Sequence, residues 1–155
     1  MTYKEYIEKE QALANALPVF YAFSDEQFMN QLEKRGLTLN DLDKLYRLGD
    51  TGGFYLKSDA DKIKEYFERP DELSELLKDY DFAFEAFYYE MGNHEYHINW
   101  EADYSVCSCF GHVEYDDSFG MSDYFVQLKW NETTIKAYKD ARNKFLHDCD
   151  EGGWY

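Results

Sequence analysis

Between Asp71 and Met91 the apolar residues Leu73, Leu76, Leu77, Tyr80, Phe84, Phe87, Tyr88 and Met91 recur at spacings of three and four. That period belongs to one face of an α-helix. It predicts a single helix of about 20 residues, roughly 30 Å long, with Gly92 as its C-terminal stop. Glu75, Asp79, Phe82, Ala86 and Tyr89 make a second stripe on the same helix, acidic in its first half and aromatic in its second. Buried, that stripe would be core. Exposed, it would set aromatic anchors beside carboxylates, a combination suited to gripping a partner protein.

Charge narrows the function as this pattern narrows the fold. The chain has 155 residues, with 32 acids against 16 bases and a net charge of −16. That length is enough for one sizeable core, and 45% hydrophobic residues argue for folding rather than disorder. The acids are not evenly spread: residues 1–58 carry −2, residues 59–123 carry −14 and residues 124–155 carry 0. Such concentration predicts one strongly negative surface. Direct binding to DNA, RNA or an anionic membrane is excluded, because neutralising phosphate takes clustered Lys and Arg. No apolar run approaches the roughly 20 residues that span a bilayer. MTYKEYIEKEQ lacks the basic and apolar regions of a signal peptide. Three cysteines make no disulfide framework, as expected of a protein in a reducing cytoplasm.

The remaining elements follow from caps and breakers. Tyr6, Ile7, Leu13, Ala14 and Leu17 mark an amphipathic helix ended by Pro18. Val19–Phe23 reads as extended. Ser24 and Gln27 form a capping box for a helix that Gly36 stops. Asn40 is expected to cap a short helix with Leu42, Leu45 and Tyr46 inward. GDTGGFYL is a Gly-rich turn running into an extended segment, and Ser58 and Asp61 open a helix ended by Pro70. From His94 the pattern changes. EYHINW, His112–Tyr115 and Tyr124–Trp130 alternate polar and apolar side chains, and Val106–Phe110 is poor helix material. The expectation is a single α+β domain: helical over residues 1–92, a small antiparallel sheet over residues 93–130, and a C-terminal helix over residues 133–148. The tail CDEGGWY is expected to fray.

The richest set of metal-ligand side chains is His94, His97, Cys107, Cys109 and His112. Zinc takes four N or S donors in a tetrahedron, and this set holds more than enough. On a strand Cys107 and Cys109 share a face; on a helix they point apart and the site fails. His94–His97 is one residue short of the zincin motif. Cys149 beside His147 or Asp148 imitates a thiol and its base, but adjacent residues rarely reach that geometry. Gly49–Gly53 lacks the Gly-Lys-Ser/Thr that cradles phosphate, and no complete calcium loop is present. No cofactor is required by any of these motifs, and a zinc-dependent protein is the only enzymatic reading they leave open.

Three stretches, ALPVFYAFSDEQF from Ala16 to Phe28, GGFYLKSDADKI from Gly52 to Ile63 and FYYEMGNHEY from Phe87 to Tyr96, resemble a group of small uncharacterised acidic proteins of bacteriophages and mobile elements. The resemblance covers about residues 1–97 and implies no activity. By size, acidity and aromatic content the chain is also similar to phage DNA mimics of the anti-restriction and anti-CRISPR kinds, which implies a function class and no particular residues. Physically, duplex DNA shows one charge per about 1.7 Å of axis, and a rod of carboxylates competes for the same Lys/Arg groove. Glu68, Glu72, Glu75 and Asp79 follow one another at spacings of four, three and four, and Glu95, Glu101, Asp103, Glu114, Asp116, Asp117 and Asp123 extend the negative field, with Phe82 and Tyr89 as anchors. The expected partner is a basic nucleic-acid-binding protein of a bacterial host, engaged without enzymatic activity, and a homodimer is compatible with exposed aromatics. The alternatives are an acidic adaptor or phage assembly module, and a small zinc-dependent protein.

Overall fold

Asp71 and Asp79 compete with the long apolar period, and locally they win. The computed structural model describes residues 1–152, and in it the expected 71–91 helix is two helices, α4 (Glu72–Leu76) and α5 (Tyr80–Asn93). The Asp71 carboxylate accepts from the Ser74 amide at 3.0 Å, and that of Asp79 from the Phe82 amide at 2.9 Å. Each satisfies a donor that an unbroken helix would spend elsewhere. At the break, the Leu77 carbonyl accepts a 2.7 Å hydrogen bond from the Thr134 hydroxyl.

The other helices are α1 (Tyr3–Asn15), α2 (Asp25–Lys34), α3 (Ala60–Phe67), α6 (Ala102–Cys107), α7 (Met121–Leu128) and α8 (Glu132–Gly152), making eight α-helices among the described residues. The fold is therefore helix-rich with one small antiparallel sheet, and the chain divides into two compact units.

One unit holds residues 9–70. Half of the expected capping box appears: Ser24 accepts from the Gln27 amide at 3.2 Å, while the Gln27 side chain accepts from the Phe23 amide, one residue before the cap, at 2.8 Å. Gly36, at φ +68°, follows α2 as the stop. The sheet sits in this unit, in the middle of the chain, with order β1 (Phe20–Tyr21), β3 (Gly53–Leu56), β2 (Leu45–Leu48). The Asn40 helix is replaced by a 3-10 turn over Leu39–Lys44, capped by Thr38 and leading into β2. The β2–β3 hairpin turns over Gly49–Gly52, where Gly52 (φ +80°) leaves no room for a Cβ, which would lie 2.4 Å from the Phe23 ring. Phe20, Phe28 and Phe54 pack together at 5.0–6.4 Å between ring centres.

The other unit holds residues 1–8 and 71–155. Tyr80 meets Asp140 and Tyr88 meets Asp148, so α5 and α8 run side by side in the same direction. Phe87, Met91, Tyr138 and Phe145 are buried between them, and each such side chain contributes about 1.5–3 kcal/mol. No strand forms over residues 93–130; this segment holds α6, a 3-10 turn (Ser108–Phe110), α7 and loops. Tyr96 is buried while Ile98 is 61% exposed, so the alternation in EYHINW does not line one face. Met121, Tyr124, Phe125 and Leu128 all turn to the core, at the i, i+3, i+4, i+7 positions of a helix. The C-terminal helix is longer than residues 133–148: it runs to Gly152 and buries Cys149, so the first part of the expected frayed tail is helical. The tail's last three residues lie outside the described ones.

Candidate functional site

The acidic residues picked from the sequence have diverse surroundings. Glu68, Glu72, Glu75 and Asp79 do not lie along one helix. Glu68 closes α3, Glu72 and Glu75 lie on α4, and Asp79 caps α5. Glu75 is exposed and paired with Lys78 at 2.8 Å. Asp103 turns inward, accepting from Tyr96 at 2.6 Å and from Tyr138 at 2.7 Å, while Arg142 donates to the Tyr96 hydroxyl at 2.9 Å. Burial and the Asp103 charge hold both phenols protonated. Asp103 is thus a core clamp, and Phe82, 4% exposed, is core as well. Neither offers itself to a partner. Tyr89 is 49% exposed, beside a groove of about 590 Å³ that also touches Phe84, Tyr88 and Lys144.

Glu95, Glu101, Asp116 and Asp117 are exposed. The Ser118 hydroxyl and amide donate to Asp116 and hold its carboxyl below the usual range. The neighbouring Asp117 carboxylate first, then partial burial and the charge of Glu101, push the Tyr115 phenol up to about 12. Tyr115, which the sequence reading passed over, is therefore a 45% exposed ring standing among carboxylates. Its signal in the sequence is its position between Glu114 and Asp116–Asp117. Trp100, beside Glu101, is fully exposed.

The metal-ligand set breaks apart, and part of it reassembles with a new member. Cys107 and Cys109 straddle the end of α6 and the following 3-10 turn, so they point different ways. Cys107 is fully buried, and burial pushes its thiol up to about 12. His97 packs on the Phe145 ring at 5.9 Å, and His112 is exposed in the loop after Gly111. Cys109 and His94 do meet, with Sγ and Nε2 3.3 Å apart. Glu90, one turn before His94 on α5, completes a triangle: its Oε2 is 3.6 Å from each of them. Its Oε1 accepts a 2.7 Å bond from the Tyr3 hydroxyl. The i, i+4 spacing of Glu90 and His94 was the available sequence signal for this pair.

The trio does not make a thiol nucleophile. Burial and the neighbouring Glu90 charge push the Cys109 thiol up to about 12, whereas nucleophilic attack needs the thiolate. Both Cys109 and Glu90 approach the same histidine nitrogen, so neither orients the ring from its far side for the other.

No helix among the described residues is long and apolar enough to cross a membrane. Residues 2–117 match DUF7659, a family of unknown function. No curated protein and no solved structure matches the chain.

Proposed function

We propose that this chain, which belongs to the DUF7659 family, is a non-enzymatic phage or mobile-element inhibitor that binds a basic, nucleic-acid-handling defence enzyme of its host, of the CRISPR nuclease or restriction type, in the groove nucleic acid would occupy. The observation that carries this reading is the surface around Tyr115. The 50 residues between Lys78 and Lys129 contain 11 acids and no Lys or Arg. Within them Glu101 and Asp117 converge on one half-exposed tyrosine. Carboxylates without counter-charges steer a basic partner, and a rigid aromatic ring among them holds it. The acids do not form the single rod expected from the 71–91 period.

The test is capture from nuclease-treated bacterial lysate at low and moderate salt. The expected catch is a nucleic-acid-binding enzyme lost as salt rises. A Glu101→Lys, Glu114→Lys, Asp117→Lys triple variant should lose it while keeping the wild-type circular dichroism. Capture that ignores both salt and charge reversal overturns the reading. A second reading, an adaptor or assembly module, is favoured by one specific feature: Trp100 is fully exposed, and Ile98 and Val126 are 61% and 77% exposed. In that case Trp100→Ala abolishes capture and salt does not.

A further inference from the structure

Glu90 is 8% exposed, yet among the described residues its carboxylate has no Lys or Arg within ion-pairing distance; its one potential cation is His94. Buried carboxylates are paired or coordinate metals, because desolvating an uncompensated charge is costly. The geometry around it is that of a coordination sphere. The three edges of the Cys109–His94–Glu90 triangle are 3.3, 3.6 and 3.6 Å. Zinc bonds of about 2.3 Å to S and about 2.0–2.1 Å to N and O, set at tetrahedral angles, give ligand–ligand edges of about 3.3–3.6 Å. The three spacings therefore match those of donors that share one ion.

We infer that Glu90, His94 and Cys109 form a mononuclear site for a zinc-class divalent ion, with three protein donors and a solvent-derived fourth ligand. The donor set selects the ion: a thiolate and an imidazole favour zinc-class metals over calcium or magnesium, which take oxygen. Tyr3 supports the site from behind. Its hydroxyl donates to Oε1 and the Asn93 side-chain amide donates to Oε2 at 3.3 Å, which fixes the carboxylate with Oε2 beside the imidazole and the thiol. Such outer hydrogen bonds orient ligands in metal proteins generally. The fourth position opens to solvent on the side of His94, whose side chain is 37% exposed. On binding, the metal–sulfur bond replaces the Cys109 S–H bond and the proton leaves to solvent, with no change of oxidation state. The ion would supply the cation that Glu90 lacks and join the end of α5 to the turn after α6. This inference is independent of the inhibitor reading above.

The test is titration of the chelator-stripped full-length protein with cobalt(II) chloride. The expected result is saturation at one equivalent, with a sulfur-to-cobalt charge-transfer band in the near ultraviolet and tetrahedral d–d bands in the visible. Zinc chloride should displace the cobalt. Cys109→Ser should remove the charge-transfer band and Cys107→Ala should keep it. His94→Gln, at a half-exposed position that does not put the fold at risk, should weaken binding by at least about 10-fold, the lower bound for losing even an outer-sphere partner. Absence of the charge-transfer band in folded wild-type protein, or its survival in folded Cys109→Ser, overturns the inference. So does unchanged affinity in His94→Gln, whatever the fate of the cysteine variants.

Discussion

Thr134 takes up a carbonyl where a helix ends in a distant part of the chain. In an unbroken 71–91 helix the Leu77 carbonyl would accept from the amide four residues on. At the break it accepts from the Thr134 hydroxyl instead, and Thr134 is only 2% exposed. Thr134→Val keeps the shape, removes the O–H and strands a buried carbonyl. The expected loss is about 1–3 kcal/mol, read as a lower urea midpoint with an unchanged slope; an unchanged midpoint would show that the break is held by its caps alone. Single residues were also where the sequence was least legible. Asp103, Phe82 and Glu90 look like any other acid or aromatic on a helical stripe; Tyr96 and Tyr138 turn Asp103 inward, Tyr3 and Tyr6 cover Phe82, and Tyr3 holds Glu90. Periodicity reports that a face is apolar; it does not report what the opposite face meets.

At the scale of elements, α5 and α8 are joined by two equivalent rungs. Tyr80 donates to Asp140 and Tyr88 to Asp148, at 2.6 and 2.5 Å, while Lys136 and Lys144, one turn earlier on α8, pair with the same carboxylates. The lysines first and the tyrosines second hold both carboxyls below the usual range, and the bond to Asp148 pushes the Tyr88 phenol up to about 12. A carboxyl whose folded value is lowered stabilises the fold above its unfolded value, near 3.9, and loses that contribution as pH falls through the folded value. The double variant Asp140→Asn, Asp148→Asn is therefore expected to be less stable than wild type at pH 7. The gap should close as the pH is taken below about 4, measured as the difference in urea midpoints across a pH series. A gap that stays constant with pH would mean the rungs act through shape rather than charge. Helices were the legible elements, since Ser24, Gly36 and the apolar period over residues 133–148 each state a boundary or a face. Apart from the broken 71–91 period, the misreadings came from short segments. Tyr124–Trp130 fits a period of two as well as a period of 3.6, and only the inclusion of Met121 tips it to helix. Asp79, weighed as a surface charge, is an N-cap.

At the scale of the whole molecule, the charge asymmetry seen along the chain survives as an asymmetry between the two units. Residues 9–70 carry 11 acids and 9 bases, a net −2, and the rest carry 21 acids and 7 bases, a net −14. The excess is thus confined to the unit built on α5 and α8. Confinement has a cost, because exposed like charges repel across that unit and weaken its folded state. Screening relieves the repulsion: raising the salt from about 0.01 M to about 0.15 M shortens the Debye length from about 30 Å to about 8 Å. The Tm of the free protein is expected to rise over that range by about 2–4 °C, corresponding to about 1 kcal/mol for a chain of this size, with the sharper change in probes of the α5–α8 unit such as its tyrosine hydrogen bonds. Partner capture should fall over the same range, since the salt that relieves the repulsion also screens the attraction to a basic groove. Opposite responses from one surface are the signature of acids kept unpaired for a partner. A Tm that does not respond to salt would mean the carboxylates are already spaced or paired well enough to cost nothing, and the charge would then be ordinary solvation.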